Sequence, residues 1–227
     1  MLHMVSRINR KLATSELLSY VGKPLPLRTL RRILNSDFRS LGVRTCIVVH
    51  PDMFKPPFRN VKFSVGGCFH YDKRPMPITM DIRVRSKDDL LLTKAQMNRM
   101  LFHVSQTVQH EYLHKLQCRK KPDIDKNDVK VYYSDRLSKK RVDEMVYLAD
   151  PCEVDAYARD IAHEIKQFYP QLGVREALRN IVSLRKVNSF KHYSKAFKGT
   201  NWDVLRRTLL KKVWKWLDRV IPTPVCP

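Results

Sequence analysis

The stretch Thr107-Val-Gln-His-Glu-Tyr-Leu-His114 restricts this chain of 227 residues more than any other. His110 and His114 stand four apart, so on a helix they share one face, and two imidazoles placed that way can close on a single zinc ion. Glu111 points about 100° around the helix from His110. From there a carboxylate can hold a water beside such an ion and take its proton. The plainer reading is a helix that carries two histidines by chance, and the surroundings must decide between the two.

Those surroundings begin with Thr93-Lys-Ala-Gln96, a capping box that opens a helix running to about Gln117. Met97, Met100, Leu101, Val104 and Val108 recur at helical spacing and form one apolar stripe. Glu111 falls inside the stripe, with His110 and His114 along its border. A carboxylate on the apolar side of a helix is costly unless something satisfies it, and a metal centre would. His103 is also near the histidine face, but two turns earlier and about 10 Å away, so a supporting or structural role is expected of it.

Ahead of this helix the chain changes character. Residues 6–21 pattern as a helix capped by Ser6, and residues 27–38 as a second, patterned by Leu30, Ile33, Leu34 and Phe38. Residues 44–50 read as a buried strand closed by Pro51. Residues 60–65 alternate as a strand, Gly66-Gly67 marks a turn or bulge, and residues 68–71 form a further short strand. Residues 78–85 alternate with Ile78, Met80, Ile82 and Val84 on one face. The expectation is an α+β fold with a small, mostly antiparallel sheet packed on the helix of His110. Residues 118–141 are polar and of mixed charge, an exposed loop with a brief strand at 129–133 that reads equally as a cleft wall or a disordered insertion.

Asp150-Pro-Cys-Glu153 opens another helix, with Asp150 as N-cap and Pro151 in the first helical position. Glu153, three after the cap, has two readings. As the second half of a capping box it would reach back to the cap amide. As a third protein ligand beside two histidines it would complete a His₂Glu zinc set that leaves one position open for water. Tyr157 lies one turn beyond it.

His-Glu-Tyr-Leu-His followed by Asp-Pro-Cys-Glu-Val-Asp-Ala-Tyr-Ala resembles the minimal gluzincin-type metallopeptidases, across about residues 44–168. The wording around Glu153 is also similar to predicted phage-encoded metallopeptidases. The resemblance implies a zincin-like fold in which the strands of residues 61–85 stand for the sheet beside the substrate cleft. It implies zinc ligands His110, His114 and Glu153, with Glu111 as general base and then acid. No transition-state donor is matched by the motif. Tyr157 is the first candidate, followed by Tyr147 and His163. The lack of a third histidine soon after the first motif excludes the metzincin pattern and leaves Asp150 or Asp155 as substitutes for Glu153.

Charge adds a second theme. The net charge is +22, which favours polyanionic partners such as nucleic acid, an anionic membrane surface or acidic protein tails. Residues 1–92 carry 17 basic and 7 acidic side chains, residues 166–227 carry 14 and 3, and the intervening segment 13 and 12. The suspected chemistry is thus near neutral between basic flanks. After Pro170 the pattern predicts helices at residues 174–186 and 201–220, the second with a Trp202, Leu205, Leu209, Val213, Trp216, Val220 stripe. Packing of that stripe onto the body is the default, with a membrane-surface or partner-binding role as the alternative. Nonspecific, salt-sensitive nucleic-acid binding is expected of the cations.

Five widely spaced cysteines without a CxxC pair point away from a cysteine zinc site and towards a reducing interior. With no secretory h-region and no apolar run of transmembrane length, the expected setting is intracellular, cytoplasmic or nucleic-acid-associated. Virion association is in keeping with the phage resemblance. Three parts are expected: a helical segment 1–43, a metallopeptidase core 44–169, and a basic helical extension 170–227 packed on it. The functional expectation is a zinc peptidase acting on protein or peptide. The alternative is a nucleic-acid-binding or nucleic-acid-packaged structural protein with a structural or vestigial metal site.

Overall fold

A computed structural model describes residues 2–51, 63–69, 78–84, 89–120, 138–220 and 222–223. The chain divides into two compact units, Met1–Leu116 with Thr223–Pro227, and Gln117–Pro222. The architecture is α+β.

In the first unit, α1 (Leu2–Ala13) and α2 (Leu27–Ser40) precede the main strands. Ser6 lies inside α1, where its hydroxyl accepts from Arg10, so it is no cap. The predicted continuation to residue 21 breaks at Ser15. Its hydroxyl accepts from the Leu17 amide and donates to Asp37 at 2.6 Å, starting a 3₁₀ turn at Glu16–Tyr20. A serine that bonds the local backbone competes with helix in this way.

Three strands form the main sheet: β2 (Thr45–Pro51), β3 (Phe63–Phe69) and β4 (Ile78–Val84), in the order β2-β4-β3. The pairing of β3 with β4 is antiparallel and that of β2 with β4 is parallel. A second, two-stranded antiparallel sheet joins β1 (Pro24–Pro26) to β5 (Asp89–Leu91); the sequence reading did not anticipate it. Ile78, Met80, Ile82 and Val84 are all buried, as their alternation requires. The expected break at Gly66-Gly67 is absent. β3 continues through both glycines, which pair in register with Asp81 and Met80. The rest of the predicted strands at residues 60–62, 70–71 and 85, and the brief strand at 129–133, lie outside the described residues.

Helix α3 (Lys94–Lys120) starts with the capping box, in which Gln96 accepts from the Thr93 amide at 3.0 Å and Thr93 Oγ1 accepts from the Gln96 amide at 3.3 Å. Its stripe of Met97, Met100, Leu101, Val104 and Val108 is buried. On another side, Ser105 and Gln109 both donate to Asn9 Oδ1, a buried polar clasp tying α1 to α3. The inner face of β3 lies along α3, with the Phe63 ring against His103 and Gly67 against Thr107.

The second unit is helical. It contains α4 (Lys139–Ala149), α5 (Pro151–Phe168), α6 (Val174–Arg179), α7 (Asn188–Ala196) and α8 (Asp203–Leu217). Helix α5 is its axis, touching α4, α7 and α8. The predicted helix at 174–186 stops at Arg179 and gives way to a 3₁₀ turn at Ile181–Ser183. Ser183 Oγ bonds back to the Asn180 carbonyl at 2.7 Å and tightens that turn. Two helices went unforeseen, α4 and α7. Phe190, Tyr193 and Ala196 give α7 its buried face, and just beyond it the buried Phe197 ring stacks on Trp202 at 5.6 Å. The stripe of α8 packs on α5, burying Leu209, Val213, Trp216 and Leu217. No helix among the described residues is long and apolar enough to cross a membrane.

Candidate metal centre

The stripe of α3 turns Glu111 inward and brings the two histidines to its edge. The His110 and His114 rings lie 4.8 Å apart, edge to face. His110 and Glu111 are each 8 % exposed. One side-chain ligand atom from each of His110, His114 and Glu153 lies within 4.8 Å of the other two, and such a group could hold a metal ion. Two imidazoles and one carboxylate match the donor chemistry of a catalytic zinc set.

The N-terminal cap of α5 is made by its neighbours and not by the Glu153 carboxylate. Asp150 Oδ1 caps α5, accepting from the amides of Cys152 at 2.7 Å and Glu153 at 3.4 Å. The Asp150 amide already donates to the Tyr147 carbonyl, so it does not require the reciprocal bond of a capping box. The two substitute ligands are occupied elsewhere. Asp150 is the cap. Asp155 Oδ1 accepts from Trp216 Nε1 at 3.2 Å and Lys212 Nζ at 3.3 Å. Gln117, three residues after His114 on the same helix, donates to the Cys152 carbonyl at 3.4 Å and to Asp155 Oδ2 at 3.5 Å. Both bonds meet the first turns of α5, and Glu153 stands between their two acceptors in sequence.

Gly67 is a contributor that motif reading did not single out. A Cβ at this position would stand 2.5 Å from Thr107 Cγ2 and 3.1 Å from Glu111 Cγ. Only a residue without a side chain lets β3 pass this close to the carboxylate. The signal is present as a glycine inside an alternating strand pattern, where a turn or bulge is the expectation.

The donor candidates are spread out. Tyr157, one turn beyond Glu153, has its ring 5.9 Å from His192 and 5.4 Å from Tyr193. Tyr147 is exposed. His163 is fully buried, and burial followed by the Arg159 charge holds its pKa well below the ordinary histidine value. Tyr193, which the sequence did not flag, donates its hydroxyl to the Leu148 carbonyl at 2.7 Å. Burial first, then Tyr157, Glu153, Asp150 and Asp160, push its pKa upward. His103 stands apart from the three-residue group. It packs on Phe63 and Phe102, and burial followed by the Arg99 charge lowers its pKa to about 4 against a weaker opposing bond from Gln106.

No protein-family model, curated protein or solved structure matches the chain.

Proposed function

We propose that this chain is a zinc-dependent peptidase of the gluzincin kind, with a zincin-like core in which His110, His114 and Glu153 are the metal ligands. The observation that carries the reading is the convergence of those three ligand atoms beside a buried Glu111. A zinc ion held there would polarise a peptide carbonyl and make a water more acidic. Glu111 takes the proton of the attacking water and delivers it to the amine that leaves, a carboxylate acting first as base and then as acid. Tyr157, on the same side of α5 as Glu153, is the proposed hydrogen-bond donor to the oxygen that gains charge. The basic flanks would bring the enzyme to nucleic acid, where bound proteins are its substrates.

The charge of +22 also favours a second reading, a nucleic-acid-binding protein whose metal site is structural. Two measurements separate them. The purified chain is expected to hold about one equivalent of zinc, lost in both His110→Ala and Glu153→Ala. Glu111→Gln is expected to keep its zinc and to lose nearly all cleavage, by about 10²–10⁴-fold, in a fluorogenic peptide library that the wild type cuts. Zinc with no cleavage by the wild type, with or without DNA, selects the structural reading. Undiminished zinc in Glu153→Ala removes that residue as a ligand.

A further inference from the structure

Helix α8 spends its apolar side on α5, where Leu209, Val213, Trp216 and Leu217 are buried. What remains outward is distinctive. Arg207, Lys211 and Lys215 are exposed and recur at every fourth position, about 6 Å apart along a helix. Trp214 stands among them and is 43 % exposed. Among the described residues, Arg207 bonds only locally, through Nε to the Asp203 carbonyl. Asp203 and Asp218 mark the two ends of this face and leave its middle cationic. By contrast Lys212, turned towards α5, is matched by Asp155, and Arg219 lies 6.0 Å from the Trp216 ring.

Three classes of partner are compatible with cations alone, and the packing discriminates among them. A membrane-surface helix needs its apolar face free to enter the lipid boundary; here that face is covered by α5. An acidic peptide needs no flat aromatic surface among the charges. A single-stranded nucleic acid uses both features, with cations following the phosphates and an aromatic ring stacking on a base. We propose that the outer face of α8, built by Arg207, Lys211, Trp214 and Lys215, is a binding surface for single-stranded nucleic acid without sequence preference. The proposal places on one helix the polyanion affinity that the whole-chain charge suggests, and it does not depend on the metal chemistry.

The test uses the full chain and fluorescein-labelled oligodeoxythymidine, with affinity followed as potassium chloride is raised. Wild type should bind with a steep salt dependence. Replacing Arg207, Lys211 and Lys215 together with serine should reduce the log–log slope by about 2, from about 0.7 per phosphate contact on a single strand. Trp214→Ala should weaken binding at least about fivefold while leaving the slope alone, the mark of stacking rather than charge. All four side chains are exposed, so helix content by circular dichroism should not change. Unaltered affinity in both variants would overturn the proposal. So would wild-type binding to phosphatidylserine vesicles but not to the oligonucleotide, or tighter binding to a duplex that is indifferent to Trp214→Ala.

Discussion

Helices α3 and α5 supply the two halves of the candidate site by different means. In α3 the functional residues sit within one turn of each other, on the margin of an apolar stripe that fixes their direction. His110, Glu111 and His114 need only the helix itself to be brought together. In α5 the stripe does not present Glu153. A cap at Asp150, a clamp on Asp155 and a bond from Gln117 do so, each using a polar side chain close by in sequence to Glu153 or His114. One half of the site is an intrinsic property of a helix. The other is an arrangement that several separate hydrogen bonds must maintain, so the α5 half should be the more easily disturbed without loss of fold.

The largest expected effect tests the α3 half. Glu111→Gln should lower peptide cleavage by about 10²–10⁴-fold with zinc retained, as general acid–base groups do; zinc loss in that variant would show that Glu111 holds the metal rather than the proton. Next comes the packing that admits the carboxylate. Gly67→Ala places a methyl 2.5 Å from Thr107 Cγ2. It should cost about 1–3 kcal/mol in denaturant unfolding, in line with overpacked cores, and should reduce cleavage by shifting Glu111. An unchanged midpoint would mean that β3 is not pressed on α3.

A pH effect of similar size comes from His103 in α3. His103 has its pKa lowered to about 4 from 6.5, so the native state prefers it neutral. That contribution is full above the unfolded value of 6.5 and is lost as pH falls towards about 4. It amounts to about 3 kcal/mol at most, from 1.36 kcal/mol per unit. In urea unfolding, wild type should lose stability relative to His103→Phe as pH drops through this window, and parallel curves would remove His103 as the cause. The smallest effect tests the α5 half. Asp150→Ala should cost about 1 kcal/mol as a lost N-cap and should weaken zinc binding as well, because the turn that carries Glu153 loosens. Weaker zinc with nearly full stability is the signature of the hydrogen-bonded half; an unchanged zinc affinity would make both halves equally robust.

Much of this was legible in the residues. The capping box at Thr93, the apolar stripe of α3, the cap at Asp150 and the alternation of Ile78, Met80, Ile82 and Val84 are local patterns, and local patterns survive without knowledge of the fold. The misreadings came where a local signal had two uses. Gly66-Gly67 suggests a turn or bulge because glycine permits either, whereas its use at residue 67 is the near contact of a strand with Thr107 and Glu111. Ser6 looked like a cap, and Ser15 was the residue whose side chain bent the backbone. Helix α7 was missed although Phe190, Tyr193, Ala196 and Phe197 repeat at helical spacing, because lysines and polar residues between them masked the stripe.

The sequence by itself determined the chemistry on offer: two imidazoles and a carboxylate at a spacing only a helix can use, a second carboxylate behind a well-formed cap, and cations concentrated in the flanks. Tertiary structure alone decided which carboxylate meets the histidines, because Asp150, Glu153 and Asp155 are alike in kind and differ only in what surrounds them. It likewise decided that α8 keeps its cations outward, since a helix with an apolar and a basic side can turn either towards a partner. Spacing along a chain sets which groups share a face. Only packing sets what that face meets.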